Sequence, residues 1–199
     1  MRFTQQLLPL LNSEPSQLSR VISVLSPGEE SATFDLNNLG LSTNFSLRNA
    51  ANHAITMTDF AFEELAKENP NVSFVHTFPG GVRTGFVKEA GFAVRAAANL
   101  VAVLGSRWMT PVGESGERHL YAATSARYPP KSGSEAGVDA GGEGVLKGSA
   151  GETGSGAYLV GSWNDFRANE KVLEELRKKG AGSTIWTHTM ETFRAVRGS

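Results

Sequence analysis

The sequence contains no cysteine, and this absence removes several kinds of chemistry at once. Disulfide bonds, metal sites built on thiolates and a cysteine nucleophile are all excluded. Intracellular proteins keep their thiols reduced and rarely depend on disulfides, so a chain without cysteine fits the cytoplasm. We expect a cytoplasmic protein.

An excess of charge of either sign is also absent. The 19 lysine and arginine residues nearly balance the 20 aspartate and glutamate residues, and the net charge is -1. A protein that binds nucleic acid or an anionic membrane through bulk electrostatics carries a clear positive excess. We therefore expect no nucleic-acid partner.

Long apolar runs and metal-binding patterns are missing as well. No apolar run approaches the roughly 18–20 residues that span a bilayer, so we expect no membrane span. The first residues have too short an apolar core for a signal peptide. No two of the four histidines have ligand spacing with a carboxylate on the same face, so we expect no metal site.

What the sequence does contain is the alternation of an α/β protein. Residues 2–12 place leucines at helical spacing, Arg20 to Leu25 form a short β-branched run, and residues 45–69 form the longest helix candidate. Val72 to Phe78 form a second strand. A strand, a helix and a strand in this order predict a βαβ unit and a parallel sheet.

The long helix has a clear predicted orientation. One face carries alanines, a methionine and a leucine at three- and four-residue spacing, namely Ala50, Ala54, Met57, Ala61 and Leu65. This spacing predicts a face turned toward the core. The charged residues between them are expected to face solvent, namely Glu63, Glu64, Lys67 and Glu68.

The rest of the chain continues the pattern after an interruption. Helices are predicted over 87–104 and 113–124, a third strand over 157–163, and helices over 169–179 and 182–196. Residues 131–156 contain nine glycines and few apolar groups, which predicts a flexible loop. We expect one α/β domain formed by 1–130 and 157–199, with 131–156 as the loop.

The second strand ends in an unusual loop, HTFPGGVRTGF. Pro79 and Gly80 make a turn at the strand end, and Arg83 and Thr84 follow directly. A cation and a hydroxyl at the end of a buried strand are typical of a phosphate or cofactor contact. The alternative is that Thr84 caps the next helix and Arg83 is solvated.

Two histidines, His53 and His76, can each have a functional or a purely structural role. His53 lies on the long helix and is either a proton carrier or a packed side chain. His76 is flanked by phenylalanines in the middle of a strand, which indicates a buried, hydrogen-bonded structural histidine.

In this order, the segments RFTQQLLPLL, RVISVLS, HTFPGGVRTGF, GERHLYAATSARYPP and AYLVGSW resemble the C-terminal half of the short-chain dehydrogenase/reductase family, particularly its fungal members. The resemblance implies a truncated Rossmann-like fold with a small parallel sheet of about three strands flanked by helices. It places the family's active-site serine on Ser26 and the nicotinamide side of the cofactor near 79–84. It also implies a substrate lid over 87–110 and a homodimer through helices 2–12 and 45–68.

The chain departs from this family in two places. The glycine-rich turn of the dinucleotide-binding half, G-x-x-x-G-x-G, is absent, although NADP is the family cofactor. The family's Tyr-x-x-x-Lys pair falls on Phe45 and Asn49, or on Ser46 and Ala50 in the neighbouring register. Neither register supplies a phenol or an ammonium, so the proton donor of hydride transfer is missing.

We therefore expect an enzyme without a cofactor, an isomerase, dehydratase or cyclase acting on a small apolar molecule of fungal secondary metabolism. Its predicted catalytic residues are Ser26, Ser46, Asn49 and His53. Its predicted binding residues are Phe45, Pro79, Gly80, Arg83 and Thr84. Two alternatives remain open, an NADP-dependent oxidoreductase of the same family and a non-catalytic partner subunit or truncated gene product.

Overall fold

A computed structural model describes residues 1–13, 18–82, 109–133 and 137–197. Three strands form a parallel sheet in the order β1-β2-β3, with bounds Arg20–Val24, Ser73–Thr77 and Ala157–Val160. In this register Ile22 lies opposite Val75, and Val75 lies opposite Tyr158. The predicted fold class, a small parallel sheet of about three strands flanked by helices, is confirmed.

Five helices surround the sheet within the described ranges. They are α1 (Arg2–Leu11), α2 (Leu47–Glu68), α3 (Val112–Thr124), α4 (Glu170–Lys178) and α5 (Ala181–Arg197). All five were predicted to within two residues at each end. The predicted helix over 87–104 lies outside the described residues.

The third strand is shorter than the sequence pattern predicts. It ends at Val160 because the chain turns there: the Gly161 N–H donates to the Asp165 carbonyl at 2.8 Å, and the Asn164 N–H donates to the Gly161 carbonyl at 3.0 Å. Asn164 has a φ of 60°, which a short polar side chain tolerates better than most. An apolar run therefore continues past the strand into a tight turn.

The core has a layer on each face of the sheet, because neighbouring strand residues point to opposite faces. Phe74 packs with Phe62 and Leu65 of α2, and Leu159 joins Phe60 on the same face. On the opposite face three fully buried side chains meet, namely Val75, Tyr128 and Tyr158. Burying a side chain as large as Phe60 contributes about 1.5–3 kcal/mol.

The orientation of α2 differs from the prediction at two positions. Glu63 was expected to face solvent but is buried, with its carboxylate held by the Arg177 guanidinium of α4 at 2.5 Å. Ala54 was expected in the core but is exposed. Helical spacing alone does not predict the burial of Glu63, because α4 and α5 cover a face of α2 that also carries polar side chains.

The described part of the glycine-rich segment makes specific contacts. The Leu146 N–H donates to the Arg127 carbonyl at 2.9 Å, and the Ser149 N–H donates to the Ala157 carbonyl at 2.9 Å. The Leu146 side chain is buried in the layer that contains Tyr158. That 131–156 is flexible stays a prediction.

Apolar side chains remain exposed on α1 and at the end of β1. Phe3, Leu7 and Leu10 lie on one side of α1, and Phe3 is 82% exposed. β1 is one edge of the sheet that the described residues form. The homodimer through α1 and α2 stays a prediction. None of the described helices combines the length and the hydropathy that crossing a membrane requires.

Candidate functional site

The first turns of α2 and the loop before it enclose a polar pocket of about 390 Å³. We call it the His53 pocket. Its wall from the loop carries two hydroxyls, from Ser31 and Thr33, and the Asp35 carboxylate. Amide side chains complete the lining, namely Asn38, Asn44, Asn49 and Asn52.

The start of α2 is fixed by local hydrogen bonds that place Asn49 in the pocket. Ser46 is the N-cap in an extended conformation, and its hydroxyl accepts the Asn49 N–H at 3.1 Å. This bond satisfies one of the free N–H groups of the first turn. The Asn49 side chain donates one amide hydrogen to the Asn44 carbonyl at 2.7 Å. Its second hydrogen is left for another acceptor.

The loop wall holds two residues in a backbone conformation that side chains disfavour. Leu41 has a φ of 50° and Asn44 a φ of 57°, and both line the pocket. The Asn38 side chain holds the segment between them, because its amide donates to the Thr43 carbonyl at 2.8 Å and its oxygen accepts the Ser42 hydroxyl at 3.2 Å. Strain of this kind collects at functional sites.

His53 lies one helical turn after Asn49 and forms the inner end of the pocket. Its side chain packs on the buried Phe34 ring, with 4.6 Å between the ring centroids. The residue is 7% exposed, and no described residue gives its Nδ1 a hydrogen bond. Burial lowers the pKa of the imidazole below its ordinary value, while a hydrogen bond to the Leu39 backbone and, more weakly, the Asp35 charge act in the opposite direction. The imidazole is therefore neutral at physiological pH and can accept a proton.

A second candidate region lies where the three parallel strands end. Gly80 follows β2 with a φ of 77°, and a Cβ there would lie 3.0 Å from the Ser162 Cβ, which follows β3. Arg167 ties the end of β1 to this edge by donating to the Pro27 carbonyl at 2.8 Å and by lying 4.2 Å from the Phe78 ring centroid. The carboxyl edge of a parallel sheet is the usual place for a ligand.

The structure brings together some of the predicted site residues. Asn49 and His53 line one pocket, and Ser46 caps the helix that carries them. Phe45 precedes this cap and is 70% exposed. The other predicted site residues that the structure describes are Ser26, Pro79 and Gly80. They lie at the carboxyl edge of the sheet and do not line the His53 pocket. Arg83 and Thr84 lie outside the described residues.

Sequence reasoning missed a buried carboxyl group beneath the site. Asp59 of α2 is fully buried, and its Oδ1 lies 2.5 Å from the Nδ1 of His76 in β2. Burial raises the pKa of Asp59 well above its ordinary value, and the nearby Glu30 charge raises it further. Burial lowers the pKa of His76 to about 4. His76 is thus the hydrogen-bonded structural histidine that its flanking phenylalanines predicted, but its partner gave no signal in the sequence.

Glu30 connects this buried pair to the end of β1. Its carboxylate accepts the Gly28 N–H at 2.6 Å and the Asn169 N–H at 2.7 Å.

Within the described ranges no three histidine, aspartate or glutamate side chains are arranged to hold a metal ion.

The chain is similar to several fungal proteins named oxidoreductases. It is 44% identical over 192 residues to "Oxidoreductase AN1596" of Emericella nidulans, covering 95% of this chain and 57% of that protein. It is 38% identical over 204 residues to "Oxidoreductase andH" of Emericella variicolor, covering 100% and 59%. It is 34% identical over 198 residues to the "NmrA-like family domain-containing oxidoreductase notO" of an Aspergillus species, covering 98% and 54%.

The chain thus spans between 54% and 59% of the length of these three relatives. No family model matches the chain, and no solved structure matches it. The relationship to fungal oxidoreductases extends over nearly all of this chain.

Proposed function

We propose that the chain is an oxidoreductase-related enzyme that moves protons instead of hydride, in the His53 pocket, on a small molecule of fungal secondary metabolism. The observation that supports this most is the nearly buried His53 imidazole at the inner end of a polar pocket, whose Nδ1 has no hydrogen-bond partner among the described residues. A general base needs a lone pair that the substrate can reach and a pKa near or below the working pH. Because the His53 Nδ1 is itself buried, the proposed substrate reaches it only when the loop wall shifts on binding.

The chemistry we propose is an isomerisation next to a carbonyl. His53 takes a proton from the carbon beside the substrate carbonyl and returns it to another carbon of the same molecule, so no electron acceptor is needed. The second amide hydrogen of Asn49 stabilises the negative charge that develops on the carbonyl oxygen. The exposed Phe45 at the predicted tyrosine position cannot exchange a proton.

Replacing His53 with glutamine tests this role directly. Proton abstraction is followed in D₂O by NMR, as deuterium incorporation into candidate ketone intermediates without nicotinamide. Removing a general base typically costs about 10²–10⁴-fold in rate, and we expect a loss in this range. Because burial lowers the pKa of His53, the wild-type rate should fall at a lower pH than the 6.5 of an ordinary imidazole, where protonation of His53 removes the base.

The matched control is His119→Gln. His119 lies on α3, with its Nδ1 against the Ser115 carbonyl, and it does not line the His53 pocket. This variant should exchange deuterium at the wild-type rate. Equal rates for wild type and His53→Gln would rule out His53 as the base.

A second candidate function is NADP-dependent oxidation or reduction by a protein of which this chain is a part. Two observations favour it: the relatives are named oxidoreductases, and the Pro79–Gly80 turn lies at the carboxyl edge of the sheet. The chain's own cofactor binding is measured by titrating NADPH and following its fluorescence. The proton-transfer proposal predicts no saturation below the millimolar range, and submillimolar binding would favour the oxidoreductase instead.

A further inference from the structure

The His53 pocket has an uneven charge distribution that bears on what it can hold. Asp35 is the one charged side chain among its described lining residues. Its Oδ1 accepts the Asn37 N–H at 2.9 Å, which fixes the carboxylate in the loop wall. Because its charge raises the pKa of His53, Asp35 lies within electrostatic reach of the inner end of the pocket.

The N-terminus of α2 acts against this charge but is weaker. A helix N-terminus carries a partial charge of about +0.5, which attracts anions. The Asp35 carboxylate carries a full negative charge, so the sum at the pocket is negative. The Ser46 hydroxyl also occupies one of the free N–H groups that would hold an anion. An anionic ligand would therefore meet net repulsion.

The neutral lining groups can both donate and accept hydrogen bonds. A neutral imidazole has one N–H and one lone pair, and amide and hydroxyl side chains have both functions. A ligand hydroxyl has the same dual character, whereas a phosphate monoester is mainly a dianion at neutral pH and then offers acceptors only. The buried Phe34 ring supplies an apolar surface beside His53.

From this lining we infer that the His53 pocket binds an uncharged molecule with at least two neighbouring oxygen functions on an apolar skeleton, a diol or hydroxyketone, and that Asp35 excludes phosphorylated and carboxylate analogues. This inference rests on the proposed function, since it concerns the same pocket. It adds the substrate class and names Asp35 as the residue that sets it.

The test uses the full chain with isotope-labelled histidine, and follows the His53 imidazole resonances by NMR. The probes are cis-1,2-cyclohexanediol and inorganic phosphate, each titrated into wild type, Asp35→Asn and Asp139→Asn. Asp139 is exposed and does not line the His53 pocket, so its variant controls for the loss of one charge.

We expect the diol to shift the His53 resonances saturably in all three proteins, and phosphate to shift them in wild type and Asp139→Asn only at a much higher concentration than the diol. In Asp35→Asn the phosphate affinity should rise roughly tenfold or more, since one unit charge a few ångströms away contributes about that much in a partly solvated site. A phosphate effect in wild type at lower concentration than the diol effect would overturn the inference. So would the absence of any diol effect on His53.

The outcomes separate this inference from the proposed function. Diol binding at His53 together with no deuterium exchange into any ketone keeps the substrate class and removes the proton-transfer role. Deuterium exchange that depends on His53 while phosphate binds more tightly than the diol keeps the proton-transfer role and removes the substrate class.

Discussion

The Asp59→Asn variant should keep its stability better than wild type as the pH rises, because the raised pKa of buried Asp59 makes the wild-type chain lose stability through this group, by at most about 1.4 kcal/mol per pH unit. In the folded chain burial raises the pKa of Asp59 well above 3.8 and lowers the pKa of His76 to about 4. In the unfolded chain the two pKa values return to 3.8 and 6.5. As long as folded Asp59 keeps its proton, the two residues hold one proton in either state between about pH 4 and pH 6.5, and their pH dependences cancel.

Above pH 6.5 the cancellation ends. The unfolded pair then binds no proton while folded Asp59 keeps one, so rising pH favours unfolding until the raised pKa of Asp59 is passed. Asparagine cannot lose a proton, so its variant lacks this decline. Only His76 is left to titrate, and its lowered pKa makes the variant more stable as the pH rises from about 4 to 6.5.

Charged groups on neighbouring elements also act on the pKa of Asp59. Glu30 precedes α2 in the chain, Glu63 is on α2 and Arg177 is on α4, and of these only Arg177 lowers the pKa of Asp59. The free energy of unfolding is measured with urea across pH for wild type, Asp59→Asn and the exposed control Asp139→Asn. The contribution of Asp59 is the difference between the wild-type and Asp59→Asn pH curves. If the pair is a buried ion pair, Asp59→Asn will lose about 3–5 kcal/mol at every pH, which would contradict the account.

The Arg20→Met variant should unfold at much lower urea concentration, with a loss of about 3 kcal/mol. The Arg20 guanidinium donates to three backbone carbonyls at the end of α3 and in the turn after it, those of Ala122, Ser125 and Tyr128, at 2.8, 3.0 and 2.7 Å. Burial lowers the pKa of Arg20 to about 10, and the group stays charged at neutral pH. A buried carbonyl that loses its hydrogen-bond donor costs about 1–3 kcal/mol in stability. Removing the buried charge of Arg20 offsets part of this cost.

Arg20→Lys is the informative companion variant. An ammonium keeps the charge but not the planar fork that reaches three carbonyls at once, so we expect roughly half the loss. Arg194→Met, at an exposed position on α5, should stay within about 0.5 kcal/mol of wild type. If Arg20→Met unfolds at the same urea concentration as wild type, the Arg20 hydrogen bonds do not stabilise β1, an edge of the described sheet.

The parts of the fold that local pattern determines were predictable. Apolar runs of six or seven residues predicted the strands, and the spacing of Asn49 and His53 by one helical turn placed both on one side of α2. The Ser-Leu-Arg-Asn start of α2 also follows from a rule, since serine is a favoured N-cap. These features depend on residues within a few positions of one another.

The parts that depend on distant residues were not predictable. Glu63 looks like a solvent-facing charge until Arg177, 114 residues later, is placed beside it. Asp59 and His76 are 17 residues apart and on different elements. The loop wall of the His53 pocket was also missed, because the positive φ of Leu41 occurs at a residue that gives no turn signal.

Proton transfer without nicotinamide is best distinguished from hydride transfer by the mass of the product. Purified chain is incubated with candidate pathway intermediates, with and without NADPH, and the products are analysed by mass spectrometry. An isomerisation gives a product of unchanged mass, formed equally well without NADPH. A product that differs from its substrate by two hydrogens, and that forms only when NADPH is present, would contradict it.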